Sequence, residues 1–188
     1  MAKKKKSKKS SAKKNRKKGG NLLVLIIAVL VIAAVVVVSK VKRGSPVKSI
    51  KAQVLAEWGA SGDKEGMMNS PRGIAISQSG ILYVADLNNN RIIMYDKDGK
   101  ALGSFGQKGD KKGEFKEPSG VAVDQEGNVY VADAWNGRIQ KFDSKGKYIL
   151  EVGGQKAGFY SPRNCAVSKH GILYVADTGT SRVHRFDT

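Results

Sequence analysis

The sequence predicts an all-β fold. It is a partial β-propeller of about three four-stranded antiparallel blades, preceded by one transmembrane α-helix and a disordered basic tail. Three observations carry this expectation. Tyr83-Val84-Ala85-Asp86 recurs as Tyr130-Val131-Ala132-Asp133 and as Tyr174-Val175-Ala176-Asp177, at offsets of 47 and 44 residues. Short runs of β-formers between turn residues surround each copy. Ahead of them, Leu22–Val38 is an unbroken apolar run of seventeen residues behind a lysine-rich segment. A repeat period of roughly 40–50 residues marks units that bury their faces only against their neighbours.

Residues 1–20 are lysine, serine and glycine with almost nothing apolar. Such a segment cannot bury enough surface to offset its chain entropy, so it is expected to be disordered. Residues 21–39 are expected to form the membrane helix. Seventeen residues rise about 26 Å as a helix, within the spanning range when flanked by polar residues. The run passes through Val35-Val36-Val37-Val38 into Ser39-Lys40 without the small-residue cleavage pattern of a secretory leader, so it reads as an uncleaved signal-anchor. Eleven Lys/Arg precede it, and Lys40, Lys42 and Arg43 follow. The positive-inside rule then puts the tail in the cytoplasm and the repeats outside the cell membrane, with the tail resting on anionic lipid. Residues 40–49 read as a linker.

Net charge divides along the same line. Residues 1–43 hold 14 Lys/Arg and no acid, while residues 44–188 hold 20 Lys/Arg against 16 Asp/Glu, a net of +4. That is a weak footprint for nucleic acid. The single cysteine, Cys165, excludes an intramolecular disulfide and takes the register place of Ile74 and Val121, so it is expected in the core.

The repeats are expected at about 59–105, 106–152 and 153–188. In the second, Val121–Val123, Val129–Ala132, Arg138–Phe142 and Tyr148–Val152 read as four strands, with turns at Gly127, Asn136-Gly137 and Gly146. The first gives the same reading at Gly73–Ile76, Leu82–Ala85, Arg91–Tyr95 and Ala101–Phe105. Arg91, Arg138 and Arg182 each stand five residues after the Asp. A four-residue loop places each Asp–Arg pair opposite one another across a hairpin, a structural pairing. One carboxylate per blade makes a poor calcium site, which needs six to eight converging oxygens. No metal and no cofactor are therefore expected.

Pro-x-Gly-[Ile/Val]-Ala-[Ile/Val], then Gly-x-[Leu/Val]-Tyr-Val-Ala-Asp, then Arg-Ile-x-x-[Tyr/Phe]-Asp, resembles the NHL repeat. The likeness covers residues ~58–188. It implies a β-propeller, usually six-bladed, that binds proteins, RNA or small ligands through its loop faces. The third copy departs from the pattern: Asn164-Cys165 stands for Gly-Val, Thr178-Gly179-Thr180-Ser181 replaces the Asn-containing loop, and the loop leading into the unit is three residues shorter.

The third unit stops short of a fourth strand. Ahead of the first, Ile50–Trp58 reads as a lone strand of the fourth type, because Trp58-Gly59, Phe105-Gly106 and Val152-Gly153 are each 47 apart. About four to eight blades are needed to close a ring. Three accounts stand open: a piece of a longer propeller, self-association of two chains that complete one another, or an open stack of blades.

No catalytic constellation is present. His170 lies in a turn, and His184 sits where Ile93 and Gln140 sit in the other repeats. The expectation is a non-catalytic, membrane-anchored, extracytoplasmic scaffold that binds an unidentified protein or ligand. The alternatives are an RNA-binding propeller if the repeats are cytoplasmic, or part of a lyase- or lactonase-like propeller enzyme. Alternating strand directions gather the lead-in loop and the loop between the second and third strands of every unit on one face. That face collects Met67, Met68, Phe159, Tyr160, the lysines of loop 107–116, and the candidate partner-binding residues Arg72, Trp135 and Arg163.

Overall fold

In a computed structural model, residues 52–154 and 158–187 are described. The expected tail, the membrane helix over 21–39 and the linker lie outside them. Among the described residues, no helix is long and apolar enough to cross a membrane.

Eleven strands form three antiparallel sheets. The first is β1 (Pro71–Ile76), β2 (Leu82–Asp86), β3 (Arg91–Tyr95) and β4 (Ala101–Phe105), paired in chain order. The second is β5 (Pro118–Val123), β6 (Val129–Asp133), β7 (Arg138–Phe142) and β8 (Tyr148–Gly153), in the same order. The third holds β9 (Pro162–Val167), β10 (Ile172–Asp177) and β11 (Arg182–Asp187), so β11 is a free edge among the described residues. The expected strands fall where the repeat register puts them. The register is also common to all three sheets, with Pro71 opposite Asp86, Pro118 opposite Asp133 and Pro162 opposite Asp177.

The sheets stack through their faces, and β5 lies between β1 and β9. Glycine sets how closely these first strands approach. A Cβ on Gly73 would strike the carbonyl oxygen of Ser119, and one on Gly120 would strike the Cα of Asn164. Between the first and second sheets, Tyr83, Ala85 and Ile92 meet Val121, Val131, Phe115 and Phe142. Phe105 adds ring contacts to Phe142 at 4.9 Å and Phe115 at 6.4 Å. Between the second and third, Ala122, Tyr130, Ala132 and Ile139 meet Cys165, Leu173, Val175 and Phe159. Burial of each large apolar side chain here stabilises the stack by about 1.5–3 kcal/mol. Cys165 is buried as expected, and that burial pushes its thiol up to about 12.

Two details differ from the sequence reading. The Asn136-Gly137 hairpin closes through a 3₁₀ turn over Ala134–Asn136, with Gly137 at φ 64°. The same position is held at positive φ by Asn90 (56°) and Ser181 (54°) in the other repeats. The lone strand expected at Ile50–Trp58 is not formed: residues 52–58 are exposed and lie in no strand, and residues 50 and 51 lie outside the described residues. A strand exists only through the edge it pairs with, and among the described residues this segment pairs with none.

Candidate interaction face

Each repeat ties its lead-in loop to the hairpin between its second and third strands through the Asp of the repeated tetrapeptide. Asp133 is fully buried and accepts the Lys116 amide at 2.7 Å, the Asn136 amide group at 2.9 Å, Arg138 Nε at 2.9 Å and Gln140 Nε2 at 3.2 Å. Arg138 then reaches on to the carbonyls of Lys111 (2.7 Å) and Glu114 (3.0 Å) and to Glu151 Oε2 (3.0 Å). Burial pushes the Asp133 carboxyl up, against the opposing pull of the Lys116 amide, Asn136 and Arg138. Asp86 repeats the arrangement with the Asn69 amide (2.6 Å), Asn89 (2.8 Å) and Arg91 (3.0 Å), and Arg91 holds the Lys64 and Met67 carbonyls.

The third repeat departs from the expected Asp–Arg pairing. Asp177 stands opposite Arg182 in the ladder, yet Arg182 is exposed and no ion pair joins them. Asp177 instead accepts the amides of Ser161 (2.8 Å) and Tyr160 (3.1 Å) and the Thr180 hydroxyl (2.8 Å). Burial raises its carboxyl, but these donors outweigh it and hold it below the usual carboxylate range. The arginine role in the other repeats depends on carbonyls of a longer lead-in loop, and the third loop is three residues shorter. His184 occupies the place of Gln140. Its Nε2 is 3.8 Å from Asp177 Oδ2, and among the described residues it makes no hydrogen bond.

These nodes are scaffolding, and they fix what the loop face presents. The hairpins and lead-in loops lie at one end of the sheets, as the alternation of strand direction requires. Asn88 N donates to Asn69 O, Trp135 N to Lys116 O, and Thr178 N to Ser161 O. Trp135 is 60% exposed, and its indole N–H donates to the Glu117 carboxylate, which fixes the ring while leaving its surface open. Tyr160 is also exposed, at 78%. Lys108, Lys111, Lys112 and Lys116 are exposed on the lead-in loop of the second repeat.

Arg72 is exposed on β1, and Arg163 is half-buried on β9, where its carbonyl accepts the Ser119 hydroxyl at 2.8 Å. Both occupy the second position of a first strand, at the same end of the sheets as Trp135. Among the described residues, no hydrogen bond or ion pair joins the three side chains, so they share a face rather than a pocket. Phe159 is buried under Gly153, just as Phe115 lies under Gly106 and Met68 under Gly59. These three residues are packing anchors. Arg72 also borders an apolar groove of about 290 Å³ on the bare side of the first sheet, lined by Trp58, Met68, Ile74, Val84 and Tyr95. Reading by strands alone missed this groove, because it depends on where Trp58 settles. Among the described residues, no group of three or more His, Cys, Asp or Glu is placed to hold a metal ion.

Comparison with known proteins agrees with the repeat register. The model of the NHL repeat matches residues 68–93 and 115–142. The chain is 38% identical over 56 residues to the B-box type zinc finger protein ncl-1 of Caenorhabditis elegans, covering 30% of this chain and 7% of that protein. It is 42% identical over 45 residues to the RING finger protein nhl-1 of the same organism, covering 24% of this chain and 5% of that protein. The matched segments therefore span only a small fraction of these relatives. Among solved structures, it is similar to virginiamycin B lyase from Staphylococcus aureus at a TM-score of 0.48 and 18% identity, covering 63% of this chain and 41% of that one.

Proposed function

We propose that the repeats form a non-catalytic protein-binding module, held at the outer side of a cell membrane by the apolar segment 22–38. The observation that carries the binding reading is the fixed, exposed Trp135 on a face that also holds Arg72 and Arg163. Aromatic and arginine side chains held rigid at the surface are what protein interfaces enrich at their energetic centres. The NHL match over two repeats supports a recognition module in which the sheets serve as a scaffold. The anchoring reading rests on the apolar run and on the eleven-to-three asymmetry of flanking cations. RNA is the weaker partner class, because the net of +4 over residues 44–188 supplies little phosphate attraction.

The test is proximity labelling by the full chain in intact cells, comparing Trp135→Ala with Arg72→Ala against Lys97→Ala with Lys145→Ala on the opposite face. The first pair should lower labelling of specific neighbours by about tenfold, the loss expected from a hot-spot residue. The second pair should leave it unchanged. Equal loss from both pairs, or labelling confined to cytoplasmic RNA-bound proteins, would defeat the proposal.

A further inference from the structure

We propose that the cleft between the lead-in loop and the hairpin of the second repeat docks a short acidic segment of a partner protein. Carboxylates of that segment meet Lys108 and Lys116, and one of its apolar side chains lies on Trp135. The inference rests on the protein-binding reading of this face and adds the chemistry of the partner.

Four observations converge on it. The first is a preformed cleft. Lys108, Gly109, Asp110, Lys116 and Asn136 line an open cavity of about 360 Å³. All five belong to the second repeat, whose first strand has β1 on one side and β9 on the other. Asn136 donates to the Gly109 carbonyl at 2.9 Å and so ties the hairpin to the loop. The loop is also stapled to itself: the Phe115 amide donates to Gln107 O at 2.8 Å, and the Gly109 amide to Phe115 O at 3.0 Å. A site held this way loses little freedom when it binds.

The second is that the two lysine side chains have no structural task. Ser61 and Asn69 hold the places of Lys108 and Lys116 in the first repeat. The backbone does the same work in both. Ser61 bridges Met68 as Lys108 bridges Phe115. The Asn69 and Lys116 amides each donate to the buried Asp of their repeat, at 2.6 and 2.7 Å. The framework therefore needs these backbones and not the ammonium groups. Both lysines are exposed, and among the described residues neither side chain makes an ion pair or a hydrogen bond.

The third is a latch whose chemistry has changed. Ser70 and Glu117 end their lead-in loops at positive φ, 58° and 54°. In the first repeat, Asn88 Nδ2 donates to Ser70 Oγ at 3.0 Å. In the second, the Trp135 indole donates to Glu117, whose amide donates to Asn90 Oδ1 at 3.0 Å. Joining loop to hairpin requires only the smaller Asn–Ser version. The larger one holds an exposed ring beside Lys116, to whose carbonyl the Trp135 amide donates at 3.2 Å.

The fourth is the distribution of charge. Residues 107–117 hold four Lys, one Asp and two Glu, a net of +1. Glu114 is engaged by Gln107 and by the Lys111 amide, each at 3.0 Å, and Glu117 by Trp135. Asp110 shares the cleft with the two lysines. A nucleic acid, charged at every nucleotide, meets Asp110 and Glu117 as well as the lysines. A peptide with a few spaced carboxylates meets the lysines alone, and its apolar side chains suit the ring.

The experiment measures fluorescence anisotropy with the full chain in detergent and three labelled probes. These are a short peptide of glutamates around a central leucine, the same peptide with glutamine for glutamate, and an oligouridine. The acidic peptide should bind tightest. Lys108→Gln with Lys116→Gln should weaken it about tenfold, and Asp110→Asn should tighten it about threefold. Lys108→Arg with Lys116→Arg, which keeps the charges, should bind as the unaltered chain does, and so should Lys97→Gln with Lys145→Gln on the opposite face. Binding by the lysine-rich residues 1–20 is common to all variants and cancels in these ratios. Acidic-peptide binding indifferent to the glutamine pair would overturn the proposal. So would loss in the arginine pair, equal binding of the glutamine peptide, or tighter binding of the oligouridine that the glutamine pair abolishes. The glutamine pair is also carried through the proximity labelling in cells. Labelling that falls for Trp135→Ala with Arg72→Ala but not for the lysines would defeat the acidic partner and leave protein binding standing. Labelling that falls for neither would defeat both.

Discussion

Replacing Asp133 with alanine tests whether the buried node holds the second repeat together. The carboxylate has no exposed surface and accepts four donors, one of them the nearly buried guanidinium of Arg138. Breaking a buried ion pair by removing one partner costs about 3–5 kcal/mol, because the remaining charge is left uncompensated. Arg138 would keep Glu151 and two carbonyls, so the low end applies, about 3 kcal/mol. Asp177 is equally buried but holds no arginine. Its loss strands two amides and a hydroxyl, at about 1–2 kcal/mol. For a domain of this size each kcal/mol moves Tm by roughly 3–5 °C. Asp133→Ala should therefore lower Tm by about 10–15 °C, and Asp177→Ala by about half that or less. Circular dichroism of the full chain in detergent reads both. A double-mutant cycle with Arg138→Ala should return a coupling of about 1–3 kcal/mol. Equal losses for the two aspartates, or zero coupling, would show that the arginine contributes nothing beyond its geometry.

Two further outcomes follow from the same structure. Ser181 sits at φ 54°, where its counterpart is Gly137, so relief of the left-handed strain in Ser181→Gly should raise Tm by a few degrees, corresponding to about 1 kcal/mol; an unchanged or lower Tm would refute the strain. The Asp177 carboxyl is held below its usual range, so its contribution is present above the unfolded value of roughly 3.9 and is lost as pH falls toward the folded one. Acid titration of unfolding should then show a shallower fall for Asp177→Asn than for the unaltered chain; identical slopes would remove Asp177 from the acid response.

Much of the scaffold is legible in the sequence because its information is local. Alternation over five or six residues, a turn glycine and a five-residue Asp–Arg spacing specify β5–β8 without reference to distant parts. What escapes is set across loops. Arg138 gains its carbonyl partners 24 and 27 residues upstream, and Trp135 gains Glu117 18 residues upstream. No periodicity encodes such distances. The missing Asp177–Arg182 pair has the same origin. The ladder register is kept, but the loop that would orient the arginine is shorter. Ile50–Trp58 carries a strand pattern, yet pattern alone cannot supply an edge. On the candidate face, Trp135 is exposed and Phe159 is buried, its register counterparts Met68 and Phe115 packing under the equivalent glycines.

The position of the second sheet has a consequence for how the array comes apart. Every residue of β6 is buried, while β1 and β11 alternate exposed and half-buried positions. Interfaces in such arrays couple nearest neighbours only, so loss of order begins at the outer sheets and travels inward. Amide hydrogens of β6 and β7 should exchange with solvent most slowly, and those of β1 and β11 orders of magnitude faster. A transient opening at either end would bare tyrosine and phenylalanine rings to water while the middle remains ordered. The array would thus shed its periphery first, and its lifetime against proteases would be decided at the two outer sheets rather than at the sheet between them.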